Sequence, residues 1–408
     1  MSQVSALLGQ TFGSNPNFLV QDFAVIMIVA AVMLFVTYKL KQPMVIGYLL
    51  AGMVIGPYTP PFRLIHDINA LNVLAELGII MLMFVIGTEF PISKLRSVGR
   101  TSIMVALIES LCTLTIVFFV AQTLGFSQFD SMFLALAMSV TSTVVTVRVL
   151  EELNMIRERS TLLLLGISIV EDIVVITVLG ILQSIASTSD ISVLQVSVSL
   201  GIVAAFIGSV LVLGSKFLPH VIDKVAKTND YSVLLIVILG LAFGLSFISM
   251  ELGLSVVIGA FLAGVLVAES GSAAIARVIT VPLRDVFAAL FFVSVGALMD
   301  VSRIPIFIIP ALILIVTSFV SKLLIIYLIL VKSGYDSTTA LRTGLGMSSA
   351  RGELSLVVAK GGQDVGAVSS FIFPMLGVVT LVTTFITPYV LRLSSRLKVA
   401  SKNLNDND

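Results

Sequence analysis

Runs of about twenty apolar residues recur along almost the whole chain, and that feature decides what it can fold into. A bilayer core about 30 Å thick is crossed by roughly twenty helical residues, and the alternating pattern of an outer-membrane barrel strand is absent. Backbone groups facing lipid must pair among themselves, so long apolar runs read as helices. Of 408 residues, 58% are hydrophobic and 12% charged, with a mean hydropathy of +1.13, where a soluble domain holds about 45 to 50% apolar residues. The expectation is an all-α polytopic membrane protein.

Apolar runs between polar or Gly/Pro punctuation predict thirteen spans. They lie near 22–38, 43–58, 73–88, 102–124, 130–150, 160–187 and 193–217, then 231–250, 254–268, 283–299, 304–331, 338–359 and 367–391. The ninth and tenth are short, so tilted, broken or re-entrant forms stay open. Basic residues should concentrate in cytoplasmic loops. With the N-terminus outside, inner loops and tail hold Lys39, Lys41, Lys94, Arg96, Arg100, Arg148, Arg157, Arg159, Lys216, Lys224, Lys227, Arg277, Lys332, Arg392, Arg396, Lys398 and Lys402. Outer loops hold only Arg63 and Arg303. A missed or invented helix would scramble this asymmetry, so the C-terminal tail, 394–408, is expected in the cytoplasm and the chain in the cell's inner (plasma) membrane. Residues 1–20 lack the basic segment of a cleaved signal peptide, and the N-terminus is expected to be retained.

Composition removes several function classes. One cysteine, Cys112, forms no internal disulfide, and His66 and His220 lie in loops far apart, so no His/Cys metal site is expected. A net charge of +1 gives no field for nucleic acid. No nucleophile with a general base and no cofactor motif is evident, so an enzyme is not expected.

The chain repeats itself. Gly47-Tyr48-Leu49-Leu50-Ala51-Gly52 matches Gly259-Ala260-Phe261-Leu262-Ala263-Gly264; Phe84-Val85-Ile86-Gly87 matches Val293-Ser294-Val295-Gly296; Thr141-Ser142-Thr143 matches Ser348-Ser349-Ala350. The offset drifts through 212, 209 and 207 residues. Two six-helix halves, about 21–188 and 230–393, with a linker helix near 192–217, would account for it. Equivalent helices stand seven spans apart, an odd number, so the halves insert upside down relative to each other, as in many alternating-access transporters. Chance matching of Gly, Ala and Leu in apolar sequence is the competing explanation.

A charge at mid-membrane costs at least about 2.5 to 3.5 kcal/mol, so each such residue needs a reason. Glu171 and Asp172 are adjacent in the sixth span. A buried carboxyl poised between desolvation and a nearby cation holds a proton or a metal ion, not both. Adjacent residues point about 100° apart on a helix, so one partner rarely serves both. Lys322 is the one basic residue deep in a long apolar run, with Glu171 or Asp172 as its natural partner, either as a structural pair or as part of proton transfer. Polar stretches at Thr141-Ser142-Thr143 and Ser348-Ser349-Ala350-Arg351-Gly352-Glu353 suggest broken helices that line a cavity, against the alternative of hydroxyl-mediated packing. Arg351 and Glu353 are expected to balance half-helix dipoles. Glu76 and Glu109 are further intramembrane acids, for which a structural role is favoured.

With Gly56-Pro57, Glu76-Leu77-Gly78, Gly253-Leu254-Ser255 and Gly352-Glu353 added to these motifs, the chain from the second span to the thirteenth resembles the cation:proton antiporter-2 family. That family includes bacterial sodium/proton antiporters and the membrane domains of glutathione-gated potassium efflux systems. The resemblance implies a homodimer with a dimerisation domain and a mobile core holding two crossed, broken helices, the fifth and twelfth. It implies that Asp172 matches the cation- and proton-binding aspartate and Lys322 the lysine paired with the preceding acid. Glu171 departs from the Asp, Asn or Gln of many relatives. With the last span ending near Leu391, the nucleotide-binding domain of many potassium-efflux relatives is not expected. The function expected is exchange of Na⁺ or K⁺ for protons, with no cofactor and no metal beyond the transported ion. A gated cation (K⁺) channel without strict proton coupling and an assembly subunit of a larger membrane complex are the rival readings.

Overall fold

The computed structural model describes residues 16–58, 64–65, 68–89, 99–186, 201–202, 204–228, 230–252 and 254–396. Expectations that concern residues 1–15, His66, Arg63, Lys94, Arg96, Gly253, most of the linker before residue 204, or the tail after Arg396 lie outside the described residues. Among these, every regular element is helical: α1 (Pro16–Lys39), α2 (Met44–Ile55), α3 (Ile68–Thr88), α4 (Arg100–Thr123), α5 (Gln128–Ser139), α6 (Thr143–Glu152), α7 (Arg159–Ala186), α8 (Ser215–Ala226), α9 (Tyr231–Glu251), α10 (Val256–Ala268), α11 (Ala273–Ala297), α12 (Ile304–Lys332), α13 (Ser337–Ser349), α14 (Glu353–Asp364) and α15 (Ile372–Ser395).

Nine helical segments among the described residues are long and apolar enough to cross a bilayer, with α5 and α6 counted as one. A pair bent by 48° that ends in α8 makes a tenth. The apolar helices α2 and α10 have 12 and 13 residues, short of the roughly twenty a crossing needs. α11 begins ten residues before the expected Leu283, because Pro282 sits inside the helix rather than ending it. A proline is tolerated there where neighbouring groups satisfy the freed carbonyl.

Local chemistry sets the helix ends. Ser127, Asp230, Ser255 and Asp336 each accept a backbone N–H of the following first turn. α1 and α6 close with Lys41 and Asn154 at φ 53° and 57°, each followed by a backbone bond back across the last turn, Gln42 N to Thr37 O and Met155 N to Leu150 O. Asparagine tolerates this left-handed geometry; lysine does so at a cost that glycine would avoid.

The helices pack in two groups. α1, α2, α3, α9, α10 and α11 contact one another, and α4, α5, α6, α7, α12, α13, α14 and α15 form the second set. In the first group two close crossings are reciprocal. A Cβ on Gly52 would lie 2.1 Å from Val293 O and 2.8 Å from Gly296 Cα; one on Gly264 would lie 2.0 Å from Phe84 O and 2.8 Å from Gly87 Cα. The sequence matches of Gly52 with Gly264 and of Gly87 with Gly296 exchange these two contacts.

Candidate functional site

In the second group the fifth and twelfth expected spans are each interrupted. α5 stops at Ser139 and α6 starts at Thr143; α13 stops at Ser349 and α14 starts at Glu353. Residues 140–142 and 350–352 are extended, and Ser142 N donates to Ala350 O at 3.0 Å where they cross. A Cβ on Gly352 would stand 2.3 Å from Ser142 Oγ, so only glycine permits the crossing. Aligned on the breaks, Ser139 corresponds to Ser349 and Thr143 to Glu353, an offset of 210 residues. Thr141-Ser142-Thr143 therefore faces Arg351-Gly352-Glu353, and the expected match to Ser348-Ser349-Ala350 was three residues out of register.

Together the two breaks leave two C-terminal half-helix ends rich in free carbonyls and two N-terminal ends rich in free N–H groups. Lys322 of α12 meets the first C-terminal end: Nζ donates to Ser139 O, to Thr141 Oγ1 at 2.7 Å and to Glu171 Oε1 at 2.7 Å. Arg351 meets the second, its Nη1 3.4 Å from Ser348 O and 3.3 Å from Ala350 O. At the N-terminal ends stand acids. Glu353 opens α14 and accepts from Ser142 Oγ at 3.3 Å, while Asp172 of α7 borders the start of α6. Positive side chains sit at carbonyl ends and negative ones at N–H ends, the arrangement the dipoles favour.

Between Glu171 and Asp172, the structure gives Lys322 to Glu171. Glu171 is fully buried, with Thr141 Oγ1 3.3 Å from Oε2. Thr141 also donates to Met347 O at 2.6 Å, binding the first break to the twelfth span. Asp172 is 4% exposed, makes no ion pair among the described residues, and its buried Oδ1 has no hydrogen-bond partner. It faces a cavity of about 30 Å³ lined with Glu89, Thr141, Ser142, Thr143, Gly352 and Glu353, room for a water or two or a largely dehydrated ion. A second cavity of about 160 Å³ shares Ile86, Glu89, Val144 and Glu353 with the first and reaches Pro43, Arg148 and Arg284. The two cavities thus adjoin, and the larger extends from the carboxylate's cavity toward the end of the bundle that carries Arg148.

One expectation needs correction. Ser348 and Ser349 do not line the cavity; their hydroxyls donate to Gly344 O and Gly346 O of their own helix. Inside a helix a serine finds its nearest acceptor one turn back, so it turns away from the gap. Glu109, fully buried on α4, joins the charged cluster with Oε1 3.5 Å from Lys322 Nζ and a bond from Thr113 Oγ1 at 3.0 Å. Glu76 is exposed and belongs to no part of the site.

Some members were missed. Glu89 directly follows α3, just past the point where its span was expected to end. Thr383 and Thr384 on α15 clasp the second break: Arg351 N donates to Thr383 Oγ1 at 3.1 Å and Thr384 Oγ1 donates to Arg351 O at 3.1 Å. Adjacent threonines in an apolar run were the available signal, and one that packing serines and threonines also produce.

A model of the family described as sodium/hydrogen exchanger, transmembrane, matches residues 24–393. The chain belongs to this family. Within the cation/proton antiporters, it is 29% identical over 270 residues to the putative cation/proton antiporter YbaL of Escherichia coli (strain K12), covering 64% of this chain and 48% of that protein. It is 27% identical to K(+) efflux antiporter 4 of Arabidopsis thaliana, covering 86% and 60%, and 28% identical to a Na(+)/H(+) antiporter of Enterococcus hirae, covering 86% and 91%. The chain thus spans about half of the first relative's length and 60% of the second's. The solved structure of the sodium proton antiporter MjNhaP1 from Methanocaldococcus jannaschii superposes with a TM-score of 0.73 at 18% identity, covering 93% of this chain and 98% of that one. This exchanger-family chain is an all-helical multi-pass membrane protein with that fold.

Proposed function

We propose that the chain is a secondary antiporter that exchanges Na⁺ or K⁺ for protons by alternating access, with Asp172 holding either the proton or the cation. One observation carries this reading: Lys322 neutralises Glu171 and leaves Asp172 as a buried carboxylate with an unpartnered oxygen, facing a cavity of ionic size at the crossing of two broken helices. A buried anion needs a compensating positive charge, and a proton and a monovalent cation compete to supply it. Glu171 and Lys322 set the field at Asp172, the hydroxyls of Thr141, Ser142 and Thr143 offer oxygen ligands, and Arg351 and Glu353 hold the half-helix ends. Relatives named as Na⁺/H⁺ and K⁺ efflux antiporters support the pair of cations.

The proposal includes thirteen crossings arranged as two inverted repeats, a homodimer, and placement in the plasma membrane with the N-terminus outside. The distribution of Lys and Arg supports that orientation, and the reciprocal glycine contacts and equivalent breaks support the repeats. In this orientation the larger cavity lies on the cytoplasmic side of Asp172, and movement of one helix group against the other would turn access outward.

The test is a pH-sensitive dye inside proteoliposomes, with Na⁺, Li⁺ and K⁺ added in turn. Cation-driven proton movement is expected for the native protein, and none above the protein-free background for Asp172→Asn at unchanged folding. Exchange by that variant at the native rate defeats the reading, and cation flux without proton movement would favour a channel.

A further inference from the structure

A cavity of about 410 Å³ opens at the end of the bundle that carries Arg148, where the two helix groups meet. The first group contributes Tyr38 from the end of α1 and Lys41 and Gln42 from the turn between α1 and α2; the second contributes Arg148 and Glu152 of α6 and Arg392 of α15. Three cations against one acid leave it at about +2, and none of the four makes an ion pair among the described residues.

Two further observations concern the turn that lines it. Lys41 adopts φ 53° in the turn that closes α1, a left-handed position where glycine is the unstrained choice, and its side chain reaches this cavity. Gln42, beside it, has a buried side-chain oxygen position without a hydrogen-bond partner; an amide turned over would present its N–H groups instead.

We propose that this cavity binds a phosphate group, as a soluble phosphate or as the headgroup of an anionic phospholipid, and that the bound group ties the α1–α2 turn to α6 and α15. Arginine forks and a lysine suit phosphate oxygens, the Tyr38 hydroxyl adds a donor, and three cations against one acid give the space a positive potential that favours an anion. Its placement at the cytoplasmic face rests on the orientation given under Proposed function; the ligand chemistry does not.

The experiment reads thermal unfolding of the whole solubilised chain in mixed micelles. Phosphatidylglycerol, compared with phosphatidylcholine, is expected to raise the midpoint of the native protein and of Asp172→Asn alike, which separates this site from the transport reading. The shift is expected to vanish in Lys41→Gly, whose backbone suits its position better than the native one, and in the double variant Arg148→Gln/Arg392→Gln. Inorganic phosphate that reproduces the shift identifies a soluble ligand; a response to phosphatidylglycerol alone identifies a lipid headgroup. No midpoint rise in the native protein with either probe, or an equal rise in Lys41→Gly and the double variant, overturns the proposal.

Discussion

Lys322 Nζ lies 2.7 Å from Glu171 Oε1 and 3.5 Å from Glu109 Oε1, and it leaves Asp172 without a cation. The three acids and the lysine share one water-poor space, so the lysine's choice of partner decides which carboxylate is left to bind an ion. Breaking a buried pair costs far more than removing both members, because the survivor is left charged in low dielectric.

Lys322→Met is therefore expected to destabilise the solubilised protein by about 3–5 kcal/mol. Adding Glu171→Gln should recover most of that loss. Thermal unfolding of the single and double variants tests the coupling; additive losses would mean that the pair is not the stabilising unit.

The reciprocal glycine crossings predict a graded series. Gly52→Ala and Gly264→Ala place a Cβ within about 2 Å of a backbone carbonyl oxygen, and overpacking of this kind costs about 1–3 kcal/mol or more. Gly240→Ala, with nothing within 4 Å of its Cβ, should unfold at or slightly above the native temperature. Equal midpoints for all three would contradict the crossings.

Thr383 and Thr384 hold the backbone of Arg351 at both ends. Valine at either position leaves a buried backbone group unpaired, at about 1–3 kcal/mol. Serine should restore most of the stability, since the hydroxyl and not the methyl makes the bond. Unfolding midpoints of the four single variants decide between the two.

Competition at Asp172 predicts how exchange depends on pH. If one proton excludes one cation, the cation concentration giving half-maximal exchange rises as pH falls, approaching about tenfold per pH unit once the site is mostly protonated. Initial rates against Na⁺ or K⁺ concentration at several pH values measure this. A half-saturating concentration independent of pH would show that proton and cation do not share a site.

Much of the site is legible from residue type alone. Glu171, Asp172 and Lys322 stand out because a charge in an apolar run costs several kcal/mol and needs compensation. The broken fifth and twelfth spans announce themselves through polar residues at mid-span. Ser348 and Ser349 mislead for the same reason: a hydroxyl that lines a gap and one that bonds its own helix are written with the same letter. Glu109 reads as one more buried acid until α4 packs against α12 and brings it to Lys322.

The sequence by itself determined a multi-pass helical membrane protein, the likeness of its two halves, and the charged residues that lipid would not tolerate alone, since these follow from hydropathy, periodicity and desolvation. Only the tertiary structure decided that Lys322 serves Glu171 and not Asp172, that the breaks align at an offset of 210 with Gly352 over Ser142, and that Thr383 and Thr384 clasp the second break. These depend on distances of a few ångströms between helices far apart in the chain. Hydropathy and helical periodicity carry no record of such distances, because they describe each helix against lipid and not against its neighbours.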